Sequence, residues 1–494
     1  MSGLPDHIKN IYYRGLLNSC NYSCSYCSFA KGSSSGQLLE KDENMLRQFH
    51  ETIRCSGQGL RIMILPYGEA LIHSYYSEGI INLASLPNVL GISCQTNLSF
   101  DPKRFLNILP TSIYGKIKFW ASFHPEMVTI ENFLEKVHYL FNNGIELCVG
   151  VVGHLDNKEI IKQLRSKLNP SIYMFINSMR GVGHKLKMED IDFFMSVDNL
   201  FNYDRKAVKA DIQKCKGGKD TIFIDERGNC HACPRSGIKM TDFPVCDKKV
   251  CDCYIAYSNN HATLQDIMGS GLLWRIPRKR EISAIFFDID GTLTDSDEKI
   301  PDSYIKSLTL FSAKIPLFLA TALPLSYAKS KLGTAMQMFS GGVFADGAHL
   351  LVNDEEEYII LDPPDIDNKH YGVSTYRNKE EKVYKLAITA ETEEAANILY
   401  NKYKGIFNAF VEGCLLTIVN KNADKQAGVL AICKKKDIDL SRVVVMGNSL
   451  HDWPMMSEVG YPCAVLNSCD ELKARAKMTL NPDQLAIYFD SCDD

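Results

Sequence analysis

Nowhere in the chain is there a run of about eighteen uncharged apolar residues, so no membrane-spanning helix is expected. The opening stretch, Met1 to Asn10, is polar and lacks the apolar core of a signal peptide. An excess of charge of one sign is also missing. The 55 Lys and Arg residues face 59 Asp and Glu, a formal net charge of −4. Such a balance offers no broad surface to a polyanion, so nucleic acid is not an expected partner. These absences together point to a cytoplasmic protein with neither membrane nor nucleic acid among its partners. The remaining bulk numbers, 45% hydrophobic and 23% charged residues over 494 positions, suit two or three globular domains, each with its own core.

Cysteine, by contrast, is abundant. Of 17 cysteines, twelve fall between Cys20 and Cys253, several in tight groups. In a chain that is not secreted, clustered cysteines argue for metal rather than disulfides. The scattered ones (Cys55, Cys94, Cys148, Cys414, Cys433, Cys463) read as buried small hydrophobes. The first group is Cys20-Asn-Tyr-Ser-Cys24-Ser-Tyr-Cys27, on a polar loop after the strand-like Ile11–Tyr13. Three thiolates so close can ligate three irons of a [4Fe–4S] cube and leave the fourth iron open. A zinc knuckle or three independent thiols are the alternatives.

Past this loop, apolar strand candidates alternate with amphipathic stretches. The strands are Leu60–Leu65, Val89–Gln95, Ile117–Ser122, Ile145–Val152 and Ile172–Ile176; the helices include Glu40–Ile53, Ile130–Asn143 and Lys158–Leu168. Alternation of this kind predicts an α/β fold, a partial (β/α) barrel of parallel strands with its site at their C-terminal ends. The notable polar motifs fall there. Gly68-Glu69 follows the second strand, Thr96-Asn97 the third, Ser122-Phe-His124 the fourth, and Asn177 and Arg180 the last.

The three-cysteine spacing with Tyr26 before its last member, followed by these motifs, resembles the radical S-adenosylmethionine (SAM) superfamily. That resemblance implies a [4Fe–4S] cluster on Cys20, Cys24 and Cys27, with SAM held by Gly68, Glu69, Thr96, Asn97, Ser122 and Arg180. Tyr67, Ala70 and Leu98 depart from the family's usual residues. It also implies a small-molecule substrate, reductive cleavage of SAM to a 5′-deoxyadenosyl radical, and an electron donor such as a flavodoxin or ferredoxin. The substrate is not implied.

Between Lys214 and Tyr257 stand Cys215, Cys230, Cys233, Cys246, Cys251 and Cys253, with a strand-like Thr221–Asp225 and a hairpin turn at Glu226-Arg-Gly228. The layout from Cys215 through Gly228 to Cys233 is similar to the twitch or SPASM extension of radical SAM enzymes. This implies a second cluster on Cys215, Cys233, Cys251 and Cys253, with Cys246 in reserve. Tetrahedral zinc remains an alternative. Residues 258–281 read as a linker with one helix, Thr263–Met268, and a solvated basic run from Arg275 to Arg280.

At Ala284 a second pattern begins. Ala284-Ile-Phe-Phe-Asp288-Ile-Asp290-Gly-Thr is an apolar strand running into two aspartates two apart. One carboxylate can attack phosphorus while the other moves a proton, both facing one Mg²⁺. Leu317–Thr321 is a strand ending in a hydroxyl. Lys425 supplies a cation, and Val443–Gly447 leads to Asn448 and Asp452. The four motifs in this order resemble the haloacid dehalogenase (HAD) superfamily. Asp346-Gly347-Ala348 resembles the loop of its Cof-like subfamily with a type II cap. The implied domain is a doubly wound α/β core over 282–494 with an inserted α/β cap at about 350–421. Asp288, Asp290, Thr321 and Lys425 would be catalytic, and Asp288, Asp290, Asn448 and Asp452 would hold Mg²⁺. Asn448 stands where the family often has Asp, which weakens coordination and leaves a non-catalytic copy as an alternative.

The expected organisation is a radical SAM partial barrel (1–210), an auxiliary cluster region (211–257), the linker and the HAD-like domain. The expected function is bifunctional, radical chemistry on a small substrate, phosphorylated or not, coupled to phosphate-ester hydrolysis. A peptide-modifying maturase with an accessory HAD domain and a zinc-binding scaffold with silent domains are the competing readings.

Overall fold

The computed structural model describes residues 4–27, 29, 33–178, 186–205, 208–209, 215–236, 249–251, 262–366 and 370–491. Two compact units are present, Met1–Arg278 and Lys279–Asp494.

In the first unit, strands β1 (Asn10–Tyr13), β2 (Leu60–Ile64), β3 (Val89–Thr96), β4 (Ile117–Phe123), β5 (Glu146–Gly153) and β6 (Met174–Ser178) pair in parallel, each with the next. Helices α1 (Gly36–Arg54), α2 (Ser74–Ser85), α3 (Pro102–Ile108), α4 (Ile130–Asn142) and α5 (Lys158–Lys167) fill the crossovers. Helix starts follow local chemistry. Ser35, Asp101 and Thr129 accept from the backbone N–H groups of Leu38, Lys103 and Asn132, satisfying donors that a first turn leaves unpaired. In α4, Ile130, Phe133, Leu134, Val137 and Leu140 recur at helical spacing and are all buried. They meet one face of the sheet, where Ile62, Ile92, Phe119, Val149 and Met174 complete the core.

The other sheet face is also apolar, with Trp120, Cys148 and Phe175 all buried. Exposing it to water would cost roughly 1.5–3 kcal/mol per large side chain. The segment expected to be a linker covers it. A helix over Ala262–Met268 leads into the turn Gly269–Trp274. Trp274 packs over Gly91, where an added Cβ would stand 2.6 Å from the indole. The Cys148 thiol donates to the Trp274 carbonyl at 3.4 Å. Arg275, expected in a solvated run, is only 2% exposed. Its guanidinium lies 5.8 Å from the Trp120 ring centre and 5.7 Å from that of Phe175. A guanidinium is weakly hydrated and stacks on aromatic faces, which is why this arginine is tolerated inside.

Strand β7 (Thr221–Ile224) pairs in parallel with β1 and forms a hairpin with β8 (Cys230–His231). The expected auxiliary region therefore extends the main sheet at its edge. Of the scattered cysteines, Cys94, Cys148, Cys433 and Cys463 are buried as expected, Cys414 is intermediate, and Cys55 is exposed at the end of α1.

The second unit contains β9 (Ala284–Phe287), β10 (Leu317–Ala320), β11 (Gly341–Phe344), β12 (His349–Val352) and β13 (Glu355–Tyr358). There follow a separate four-stranded sheet of β14 (Gly372–Arg377), β15 (Val383–Thr389), β16 (Asn408–Glu412) and β17 (Leu415–Val419), and then β18 (Val443–Gly447), β19 (Tyr461–Ala464) and β20 (Met478–Thr479). The large sheet has the order 13-12-11-10-9-18-19-20. Strands 11-10-9-18-19-20 are parallel, and β12 and β13 fold back antiparallel. Residues 349–358 therefore belong to the core sheet, and the cap begins later than the expected 350. The unit itself begins earlier than 282, because Arg280–Ile282 pairs with Phe489–Ser491. Every residue of β9 and of β18 is buried, as strands covered on both faces must be. Winding reverses between these two neighbours, which opens a crevice beyond their C-terminal ends.

Candidate active sites

In the first unit, the cysteine loop is docked on the C-terminal ends of β3 and β4. The Cys20 sulfur accepts from the Tyr22 N–H at 3.4 Å and from the Asn97 amide at 3.8 Å. The Cys24 sulfur is 3.4 Å from His124 Nδ1, and the Tyr26 hydroxyl is 2.9 Å from the same nitrogen. Ser25 bonds Glu126 through both its N–H and its hydroxyl. Burial lowers His124 to a pKa of about 4, so its ring is neutral at ordinary pH. Burial also raises the Cys20 and Cys24 thiols, and each is raised further by the neighbouring cysteines. Asp42, fully buried on α1, holds the start of the loop by accepting from the N–H groups of Leu16 at 2.6 Å and Leu17 at 3.2 Å. Nothing in the sequence distinguished this aspartate from its charged helical neighbours.

Glu69 is 2% exposed. It accepts from Thr96 Oγ1 at 2.7 Å, from the Asn97 N–H at 2.6 Å and from the Leu71 N–H at 3.1 Å. Thr96 in turn accepts from the Leu98 N–H at 3.0 Å. The Asn97 amide donates to Asn21 at 3.1 Å. Glu69, Thr96 and Asn97, expected as SAM contacts, are thus brought together, and their polar groups bond one another and the cysteine loop. Gly68 was expected to let backbone approach a ligand. What approaches is the backbone of Ser19, whose carbonyl oxygen would stand 1.7 Å from an added Cβ. Ser122 is half-buried on the sheet face opposite α1–α5. Arg14, at the end of β1, is a residue the motifs did not single out. It is 9% exposed and its guanidinium lies 4.1 Å from the Tyr67 ring centre.

Burial raises Glu69 from 4.5 to about 7 despite its three donors. Between those two values the folded chain keeps a proton that the unfolded chain has released. Stability is therefore full below pH 4.5 and is lost as pH rises to about 7, by roughly 3 kcal/mol. Glu69→Gln should flatten this slope in thermal unfolding of the whole chain between about pH 5 and pH 8. An unaltered slope would assign it to other groups.

Among the described cysteines of the second group, the Cys215–Gly217 turn lies against Ala232. A Cβ on Gly217 would be 2.8 Å from the Ala232 carbonyl, one residue before Cys233. The hairpin thus draws the chain around Cys215 towards Cys233. Cys251 lies in a two-residue strand, Val250–Cys251, paired with Val208–Lys209. Arg180, Cys246 and Cys253 lie outside the described residues.

In the second unit, Asp288 leaves β9 and Asp452 follows β18. The Lys425 ammonium stands between them, 2.7 Å from Asp288 Oδ1 and 2.9 Å from Asp452 Oδ1. Asp424 caps the helix that begins at Lys425, and so sets the lysine's direction. The second Asp452 oxygen accepts from the N–H groups of Asn448 and Ser449, both at 3.1 Å. Burial pushes Asp288 up and Lys425 pulls it back; burial also works to lower Lys425, but the two carboxylates outweigh it and hold the lysine above its usual range. Thr321, 1% exposed, ends β10 beside β9 and accepts from the Leu323 N–H at 3.1 Å. The Asn448 amide abuts the first loop, since a Cβ on Gly291 would lie 2.2 Å from its nitrogen. Asp290 departs from expectation. It is exposed and paired with Lys331, rather than turned in beside Asp288. Lys331 was not foreseen, and neither was Lys385. From the cap strand β15, Lys385 reaches Asp346 Oδ2 and the Ala322 carbonyl, both at 2.7 Å.

Among the described residues no group of three or more His, Cys, Asp or Glu side chains converges in a geometry that holds a metal ion. The Cys20 sulfur faces Tyr22 and Asn97, the Cys24 sulfur faces His124 and the Cys27 sulfur accepts from the Phe29 N–H at 3.4 Å, and three thiols on one loop are the donors a soft cluster takes. At Asp288 a lysine stands between the carboxylates and Asp290 is turned away. The donors there, two carboxylates and the Asn448 amide, are the hard oxygen set that suits Mg²⁺.

A family model described as haloacid dehalogenase-like hydrolase matches residues 285–371 and 343–484. A phosphoglycolate phosphatase of Methanopyrus kandleri is 26% identical over 216 residues, 41% of this chain and 91% of that protein. A 7-carboxy-7-deazaguanine synthase of Clostridium acetobutylicum is 24% identical over 204 residues, 40% of this chain and 84% of that protein. The solved haloacid dehalogenase-like hydrolase from Bacteroides thetaiotaomicron covers 42% of this chain and 97% of its own at 19% identity, with a TM-score of 0.36. No helix among the described residues is long and apolar enough to cross a membrane. The matched motifs and the reversal of winding beside Asp288 agree, and residues 285–484 are identified as a domain of the haloacid dehalogenase-like hydrolase type.

Proposed function

We propose that the chain carries two enzymatic sites, a Mg²⁺-dependent phosphate-ester hydrolase in the second unit and a SAM-dependent iron–sulfur site in the first. The observation that carries the hydrolase reading is the buried Asp288–Lys425–Asp452 arrangement at the strand reversal. Asp288 attacks phosphorus, forming an aspartyl–phosphate bond as the ester P–O bond breaks. Asp290, released from Lys331, gives the leaving oxygen its proton and then takes one from the water that frees phosphate. Lys425 and the Thr321 hydroxyl hold phosphoryl oxygens. Mg²⁺, held by Asp288, Asn448 and Asp452, would offset negative charge on the phosphoryl group. The similarity to phosphoglycolate phosphatases supports a small phosphorylated carboxylic acid as the first substrate to test. The expected result is phosphate release from phosphoglycolate or a related ester with Mg²⁺, abolished by a chelator. Folded protein that hydrolyses no phosphomonoester with Mg²⁺ would sink this reading.

For the first unit the support is the placement of Cys20, Cys24 and Cys27 on one loop at the strand ends, and a synthase among the similar proteins. Cluster and SAM together would supply one-electron chemistry for hydrogen abstraction, with a flavodoxin or ferredoxin as electron source. Glu69, Thr96 and Asn97 position the loop, and Ser122 and Arg180 are the remaining candidate SAM contacts. Anaerobic reconstitution should give about four irons per chain for one cluster and about eight if Cys215, Cys233, Cys251 and Cys253 hold another. Changing Cys20, Cys24 and Cys27 together to Ser should remove about four. A colourless protein that retains zinc instead would overturn this half of the proposal.

A further inference from the structure

At the N-terminal ends of β1 and β2, away from the cysteine loop, lies a cavity of about 240 Å³. Its charged lining is Lys9, Arg61 and Lys216 against a single carboxylate, Asp220. Lys216 is 3.8 Å from Asp220, an ion pair at the edge of contact. Asp220 is further occupied, accepting from the Thr221 hydroxyl at 2.7 Å. Among the described residues, the side chains of Lys9 and Arg61 make no ion pair or hydrogen bond. The buried side chains of Tyr12 and Leu273 give the cavity apolar lining. Leu273 belongs to the same segment whose next residue, Trp274, covers the sheet.

A concave site focuses the field of its charges, and three cations facing one anion favour an anionic guest. A guanidinium fork beside two ammonium groups matches a phosphate better than it matches a single carboxylate. The volume equals about eight waters' share of the liquid, enough for a phosphate on a small organic body. We propose that this cavity binds a phosphate-bearing small molecule at a site that shares no residue with either candidate active site.

Hydrogen exchange on the full chain tests this, with inorganic phosphate in one arm and the non-hydrolysable phosphonoacetate in the other. Either probe should slow exchange in peptides covering 216–222 and 264–274. Protection by both assigns the recognition to the phosphate group alone. Protection only by the phosphonate assigns part of it to the walls at Tyr12 and Leu273. Arg61→Gln and Lys9→Gln, both on incompletely buried residues, should each weaken the protection midpoint by about tenfold, the effect of losing one charged contact. Protection confined to 285–295 and 447–452 would show phosphate at the hydrolase site only and overturn the proposal. An unchanged midpoint in both variants would overturn it as well.

Discussion

Asp288→Asn should leave the chain folded and reduce phosphate release by on the order of 10⁴-fold or more. The substitution keeps the shape of the side chain and an oxygen facing Lys425, at the position now 2.7 Å away. It removes a carboxylate whose charge burial disfavours, so the fold has little to lose. An amide oxygen, however, does not displace an alkoxide from phosphorus, so no aspartyl–phosphate bond can form. Phosphate release with Mg²⁺, measured beside circular dichroism of the variant, checks both halves. Activity within about tenfold of the parent would remove Asp288 from the nucleophile's role.

Lys425→Met should cost stability as well as activity. The side chains of Asp288 and Asp452 are 8% and 1% exposed, and Lys425 is the cation between them. Removing it strands two carboxylates in a nearly dry site. Breaking a buried ion pair by deleting one partner typically costs about 3–5 kcal/mol. For a unit of this size that lowers its unfolding temperature by about 10 °C. The cost has a sign with pH. Burial already raises Asp288 to about 7, and protonating it removes a stranded charge, so the gap between variant and parent should narrow as pH falls below about 7. A gap of under about 2 °C at neutral pH, or one that widens on acidification, would contradict the arrangement.

Much of this geometry follows from short-range pattern. The strand runs at Val89, Ile117 and Val443, the helix at Ile130 and the hairpin before Cys230 form within a residue or two of their expected places. Each is set by apolar period, caps and turn residues acting over a few positions. The order of motifs from Asp288 to Asp452 likewise identifies the hydrolase type, because chemistry restricts which residues can serve at each strand end. Contacts between distant segments were not legible. Gly68 suggested a ligand, but its neighbour is Ser19, from a loop that is separate in sequence. Asp290 suggested a second inward carboxylate, but Lys331 holds it outward.

The sequence by itself determined most elements, the α/β character of both units and a set of candidate residues for the chemistry. Periodicity and spacing are local properties, and a reader of the chain has them in full. Only the tertiary structure decided that Arg275 is core, that Glu69, Thr96 and Asn97 bond one another beside the cysteine loop, and that Lys425 joins Asp288 to Asp452. The reason is burial. A charged or polar side chain looks the same in a sequence whether water or another segment of the chain meets it, and that difference sets its energy, its direction and its acidity.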